Sequence, residues 1–240
     1  MTIVTMWRSI GKALVGTCAL TCALYSAAGA ASARAPQIPL QTGWDGYSLQ
    51  AYMNSCGQTL NTLTDQVDYQ TWQSAANSTA TFALRVEMAG NARSNSVGIY
   101  NASQTNPVKF QVFPGAAAGG WYATCAFGTG GQLVVRLFDQ RNLLQGITNY
   151  SGVDRSNFGF YLQGPAGTFW SQDSRNAAGK PQAVTFAGTG SYAGRWWECF
   201  EDLPYGSSDV DFQDSILLLE AVAPTAVRTG SWAAAKALYR

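Results

Sequence analysis

Seven of the fourteen acidic residues, Glu198, Glu201, Asp202, Asp209, Asp211, Asp214 and Glu220, fall within one stretch that contains no lysine or arginine. Carboxylates this close repel one another unless water or a cation neutralises them. A run of charge is most often a solvated loop, but the spacing here argues for more. In Asp209-Val210-Asp211-Phe212-Gln213-Asp214 the first two carboxylates are expected on the same side of an extended chain, and the third returns to them after a tight turn. Glu201 and Asp202 arrive from the preceding strand, and Leu203-Pro204-Tyr205-Gly206 supplies the bend between the two groups. Five carboxylates converging on one point, Glu201, Asp202, Asp209, Asp211 and Asp214, form an all-oxygen site for a hard dication. Calcium, with its loose geometry and roughly six to eight oxygen ligands, suits an irregular loop better than magnesium does. The fixed spacing and terminal bidentate glutamate of an EF-hand are missing.

Other chemistries lack their parts. The chain has no histidine, which removes the usual base of a serine-hydrolase triad and the main nitrogen ligand of zinc sites. A carboxylate pair for glycoside cleavage is conceivable, because Trp121, Trp170, Trp196 and Trp197 could stack on sugar rings. The acids, however, crowd into one loop rather than standing as an isolated pair in an apolar setting. Gly128-Thr129-Gly130-Gly131 and Gly188-Thr189-Gly190 are followed by no Lys-Ser/Thr and read as turns, not phosphate loops. Asn77, Asn101 and Asn149 begin glycosylation sequons, which matter only in a eukaryotic secretory route. The sequence therefore reads as non-catalytic.

The loop must be held by the elements around it. From Thr79 onward, short apolar or alternating runs are separated by Gly, Asn, Pro and Ser clusters, the pattern of strands joined by turns. Strands are expected within Thr81–Met88, Val97–Tyr100, Lys109–Phe113, Trp121–Phe127, Gln132–Phe138, Phe158–Leu162, Ala183–Phe186, Gly194–Phe200 and Ser215–Val222. In Trp121–Phe127 the residues Trp121, Ala123, Cys125 and Phe127 share one face, as a pleated strand requires. The unbroken apolar run Ile216-Leu217-Leu218-Leu219 implies a strand buried on both faces. These strands, with no long amphipathic helix between them, predict an all-β fold: an antiparallel β-sandwich or jelly roll. Residues 34–77 read as an N-terminal extension packed on the sandwich, with helical spacing around Ser48–Leu63; the sandwich itself spans 78–223.

The first 33 residues have Arg8 and Lys12, then an uncharged run of apolar and small residues, then Ala31-Ser32-Ala33. This is the layout of a secretory signal peptide cleaved after Ala33. Cleavage would leave a formal charge of about −1, with nothing to attract nucleic acid or an anionic membrane in bulk. Only 12% of residues are charged, which suits a β-rich extracellular protein. Cys56, Cys125 and Cys199 remain after cleavage, an odd number that allows at most one disulfide; Cys125 and Cys199, in apolar runs, read as small buried hydrophobes. In the tail, 224–240, Trp232, Ala235 and Tyr239 share a helical face and could serve as a sorting signal or dock on the sandwich.

Five stretches occur in order: Phe158-Gly159-Phe160-Tyr161-Leu162, Thr168-Phe169-Trp170-Ser171, Asn176 with Ala183-Val184-Thr185-Phe186, Phe200-Glu201-Asp202-Leu203-Pro204, and Ser208-Asp209-Val210-Asp211-Phe212-Gln213-Asp214. Together with Asn95-Ser96-Val97-Gly98-Ile99-Tyr100-Asn101, they make the chain resemble, over roughly 78–222, the domain of unknown function 4114 family of bacterial exported proteins, which often carry PEP-CTERM sorting tails. That resemblance implies a β-sandwich, a calcium-type acidic loop at Glu201, Asp202, Asp209, Asp211 and Asp214, and no catalysis. The family usually has Asn where this chain has Gln213, and the Val-Pro-Glu-Pro sorting motif does not occur. Two roles follow as expectations: an exported, calcium-binding surface or matrix protein with a structural or adhesive role, or a carbohydrate-binding module using exposed aromatics. The partner would be an extracellular polysaccharide or a surface protein.

Overall fold

The computed structural model describes residues 33–43, 46–88 and 91–225. The leader up to residue 32 and the tail from residue 226 lie outside that range, as does Trp44. Among the described residues, fourteen strands form two antiparallel sheets. The larger has the order β1 (Gln66–Val67), β11 (Ala183–Ala187), β12 (Trp196–Phe200), β13 (Ser215–Glu220), β3 (Ser78–Glu87), β6 (Tyr122–Phe127), β7 (Leu133–Phe138), β8 (Leu144–Tyr150). The smaller has the order β14 (Ala223–Pro224), β2 (Trp72–Gln73), β9 (Phe158–Gly164), β4 (Ser96–Asn101), β5 (Lys109–Phe113), with β10 (Gly167–Trp170) paired to β9. The all-β sandwich read from the sequence is the fold observed.

Each of the nine runs read as strands contains one, with ends differing by a few residues. Five further strands arose where sequence gave little or no warning. Three of them, β1, β2 and β14, are two residues long and β10 has four, too short to show a period. The fifth, β8, lies in Leu-Gln-Gly-Ile-Thr-Asn-Tyr, whose residues are nearly all exposed, so no buried face imposes an alternation on it. Because β1 and β2 belong to the sheets, residues from the segment read as an extension are also part of the sandwich framework.

The space between the sheets is filled by Phe82, Leu84, Ala123, Cys125, Phe127, Ile99, Phe158 and Phe160, among others, with Trp72 at its centre. Burying an aromatic or branched side chain of this kind contributes about 1.5–3 kcal/mol each. A second core lies on the outer face of the larger sheet. There the helix α1 (Leu49–Ser55), capped by the Ser48 side chain accepting from the Ala51 amide, sends Leu49 and Met53 inward. They pack with Ile38, Leu60, Val184, Trp197, Cys199, Phe212, Ile216 and Leu218. Strand β13 divides the two cores: Leu217 and Leu219 enter the first, Ile216 and Leu218 the second. Hence its apolar run cannot alternate. Cys125 and Cys199 are buried thiols and Cys56 is half-buried; none of the three is bonded to another.

On the outer face of the smaller sheet Tyr100 lies across Gly159, its cross-strand partner. A Cβ added to Gly159 would sit 2.4 Å from the Tyr100 ring. Trp170 closes on Tyr100 at 4.7 Å between ring centroids, and the Arg175 guanidinium lies 5.2 Å above the Tyr100 ring.

The inter-sheet core also holds an ionisable side chain. Glu198 stands in a cross-strand row with Thr185, Leu217 and Leu84, fully buried. Burial pushes its carboxyl up to about 8; the Thr185 hydroxyl and the nearby Arg34 only partly offset that, and Asp173 adds to it. Thr185 has one hydroxyl proton and two neighbours, Tyr69 O at 2.9 Å and Glu198 Oε2 at 2.8 Å. A neutral Glu198 can donate from Oε2 back to the hydroxyl, so this chain of hydrogen bonds is complete only when the carboxyl is protonated, while Glu198 Oε1 has no partner among the described residues. A carboxyl that binds its proton more tightly folded than unfolded stabilises fully below its unfolded value, and that contribution is lost as pH rises through about 8. Glu198→Gln keeps the shape and the donor. Its melting temperature, followed by circular dichroism between pH 5 and 9, is expected to fall less with rising pH than that of the unsubstituted protein. Parallel curves would show that Glu198 does not titrate in this range.

Candidate metal centre

The acidic loop runs from the end of β12 to the start of β13 and is fixed at several backbone points. The Glu201 amide donates to Gln182 O at 3.1 Å, and the Ser207 and Ser208 amides both donate to Pro204 O, closing the bend at Leu203–Gly206. The Asp202 amide donates to Asp214 Oδ2 at 2.8 Å, tying the two ends of the loop together. The Gln41 amide reaches Val210 O at 3.0 Å, so the N-terminal segment is part of the loop's support.

Between these ties the chain departs from the extended course expected of Asp209–Asp211. Val210 and Phe212 have φ of 60° and 55°, a left-handed conformation that costs about 1–3 kcal/mol for such residues and persists only where surroundings impose it. The surroundings are identifiable. Phe212 is fully buried in the second core, its amide donates to Glu201 Oε1, and the Val210 amide donates to Ser208 Oγ at 3.1 Å. These two left-handed residues, rather than a pleat, turn Asp209 and Asp211 toward Glu201.

The result is a cluster in which Glu201, Asp209 and Asp211 each bring a carboxylate oxygen within 4.8 Å of the others. Glu201 and Asp211 are buried while Asp209 is exposed, so the cluster is closed behind and open in front. Asp211 is oriented by Gln213, whose amide donates to Oδ1 at 2.9 Å and whose side chain donates to Oδ2 at 2.7 Å. Gln213 also reaches Tyr47 O at 3.3 Å, so the longer amide at this position has a defined role in the loop. Glu201 Oε2 is different: it is buried and accepts no hydrogen bond. Burial pushes the Glu201 carboxyl up to about 7, with Asp211 and Asp209 adding to the effect, and Asp211 up to about 6 for the same first reason. Glu201 and Asp211 can therefore take up protons in the neutral range, and the three carboxylates together offer oxygen ligands to a hard cation.

The structure does not bring all five expected ligands together. Asp202 and Asp214 stand apart from the three-carboxylate cluster. Asp202 Oδ2 accepts from Asn95 Nδ2 at 3.0 Å, and the same nitrogen lies 3.3 Å from Glu87 Oε1. Burial pushes Glu87 and Asp214 each up to about 8, and Asp202 raises both further. Glu87 escaped the sequence reading because only the β13·β3 register, which sets Ser215 opposite Glu87, carries it to the loop, and Asn95, just before β4 in the other sheet, meets the loop only through its bond to Asp202. Glu198 is a core group, and Glu220 pairs with Arg195 at 3.1 Å. Of the tryptophans considered for sugar stacking, Trp197 is fully buried, Trp121 and Trp196 pack against the inter-sheet core, and Trp170 is half-buried beneath Lys109 and Arg175.

In comparisons with known proteins, no family model matches the chain, and no curated protein matches it significantly.

Asn95 is the donor that lets Asp202 and Glu87 lie side by side in a buried setting. Asn95→Ala leaves both carboxylates without it and is expected to cost about 1–3 kcal/mol in urea unfolding. The loss should be greater at pH 8 than at pH 5, because Glu87 charges as pH rises through about 8. An unchanged unfolding midpoint at both pH values would remove Asn95 from this role.

Proposed function

We propose that the chain is an exported calcium-binding protein of the domain 4114 type, whose ion fixes the acidic loop and through it the junction of β12, β13 and the N-terminal segment. The observation that carries this reading is the buried Glu201 Oε2, without a hydrogen-bond partner and beside the carboxylates of Asp209 and Asp211. An orphaned carboxylate oxygen in the interior costs free energy that a cation would recover. Glu201, Asp209 and Asp211 would hold the ion. The open side of the cluster leaves room for water, and a coordination sphere part protein and part water suits calcium, which tolerates irregular oxygen sets. Asp202 and Asp214 act as braces of the loop rather than as ligands. The role is structural or adhesive at a surface or in a matrix, with an extracellular polysaccharide or surface protein as partner. The family resemblance, the signal-peptide layout of the first 33 residues and the low charge content support that setting.

Calcium should raise the melting temperature. Binding to the folded state alone adds RT ln(1 + [L]/Kd), about 2.7 kcal/mol when free calcium is a hundredfold above Kd. Affinity should increase from pH 6 to pH 8, because protons held by Asp211 near 6 and by Glu201 near 7 compete with the ion. Glu201→Gln separates the two roles of that residue. In chelator at pH 8 it should melt above the unsubstituted protein, having lost a buried charge, yet it should gain little from calcium. Asp211→Asn should likewise weaken the calcium response, and magnesium should substitute poorly. Titration calorimetry on metal-stripped protein that detected no calcium binding up to millimolar concentration would end this reading.

A further inference from the structure

Among the described residues, strand β8 closes the larger sheet and is hydrogen-bonded on one side only, to β7. No described strand pairs with its other edge, whose backbone donors and acceptors are a template for another strand. The other edge strands among the described residues are less open to pairing: β1 and β14 are two residues long, β1 is also bridged at Val67 by Ala33, β5 begins with Lys109, and β10 has four residues with the Trp170 backbone taken by the Asn176 side chain. By contrast β8 has seven residues, no charge and no proline. Exposed strand edges in monomeric proteins are ordinarily blunted by one of these devices. It also exposes Leu144 (51%) and Ile147 (52%), and Leu143 just before it is exposed by 55%.

The sequence of this edge is complementary to itself. Run antiparallel to a second copy about an axis through Ile147, it sets Ile147 against Ile147, Gly146 against Thr148, Gln145 against Asn149 and Leu144 against Tyr150. Apolar residues thus meet apolar or aromatic ones, and amides meet amides, which are favourable cross-strand pairings. One step further along, Leu143 comes level with Ser151. Tyr150 and Ser151 line a surface groove together with Gln132, Leu133, Val134 and Asn149, so the exposed leucines of one copy arrive at the groove of the other. From this self-complementarity we infer that β8 is a homodimerisation edge, where two copies of the chain join their larger sheets into one about a two-fold axis at Ile147. Such an interface is isologous and closes at two subunits. It lies at the far edge of the sheet from the acidic loop, with β3, β6 and β7 between β13 and β8, so it is independent of the calcium reading.

Sedimentation velocity on the exported protein, expressed from the full chain, tests this. A concentration-dependent dimer is expected, unchanged by calcium or chelator. Ile147→Lys sets like charges opposite each other across the axis and should weaken dimerisation by about tenfold or more; since Ile147 is half exposed, the variant should melt where the parent does. Ile147→Cys tests the register independently: mild oxidation should give a disulfide-linked dimer, whereas Arg136→Cys, one strand inward, should not. A monomer up to a few hundred micromolar would overturn the inference. So would a dimer that tolerates Ile147→Lys and gives no Ile147→Cys cross-link, since its interface would lie elsewhere.

Discussion

A carboxylate withdrawn from water must find a proton, a donor or a cation, and this constraint shapes the half of the molecule around β12, β13 and β3. Several acids there are buried or half-buried, and they meet the demand differently; Asp211, for one, receives both the backbone and the side-chain amide of Gln213. Glu198 is pushed toward its neutral form among aromatic side chains, with Thr185 as the relay to a backbone carbonyl. Glu87 shares the Asn95 amide with Asp202. Asp214 receives the Asp202 backbone amide. Glu201 gives one oxygen to the Phe212 amide and keeps the other unanswered. Glu198 Oε1 and Glu201 Oε2 are both left without a hydrogen-bond partner among the described residues, and of the two it is Glu201 that faces Asp209 and Asp211.

The framework makes that arrangement rigid. Strand β13 is enclosed by one core on each face, and β12 beside it carries Trp196 toward one core and Trp197 toward the other. A loop that leaves β12 and returns through β13 therefore starts and ends on two of the least movable strands. Phe212 adds a third anchor by inserting into the outer core, with left-handed backbone angles at Phe212 itself and at Val210 two residues before it. Strain is placed where packing can sustain it, and the acidic side chains are aimed as a consequence.

Much of this was legible in sequence because burial leaves a period. The alternation in Trp121–Phe127 and the unbroken run Ile216–Leu219 named their faces correctly, since one borders a single core and the other borders two. The acidic loop was legible as a cluster because like charges without counter-charges are conspicuous. Its membership was not. Whether Asp209 or Asp214 turns inward depends on φ at Val210 and Phe212, and nothing in a valine or a phenylalanine announces a left-handed backbone. The contribution of Glu87 depends on strand register and that of Asn95 on its bond to Asp202, each relating residues more than a hundred positions apart. Strand β8 was silent for the opposite reason: it is exposed on both faces, and exposure imposes no pattern.

The pairing of Tyr100 with Gly159 constrains how this sequence can change over time. The three heavy atoms nearest to a side chain at position 159 all belong to the Tyr100 ring, so the space is reserved by one residue for the other. A lineage that replaced the glycine first would have to displace a fully buried tyrosine that also contacts Trp170 and Arg175. One that shortened the tyrosine first would expose bare backbone beneath it. Neither route is easy in single steps, so the two positions form one heritable unit, and homologues should carry either both residues or neither.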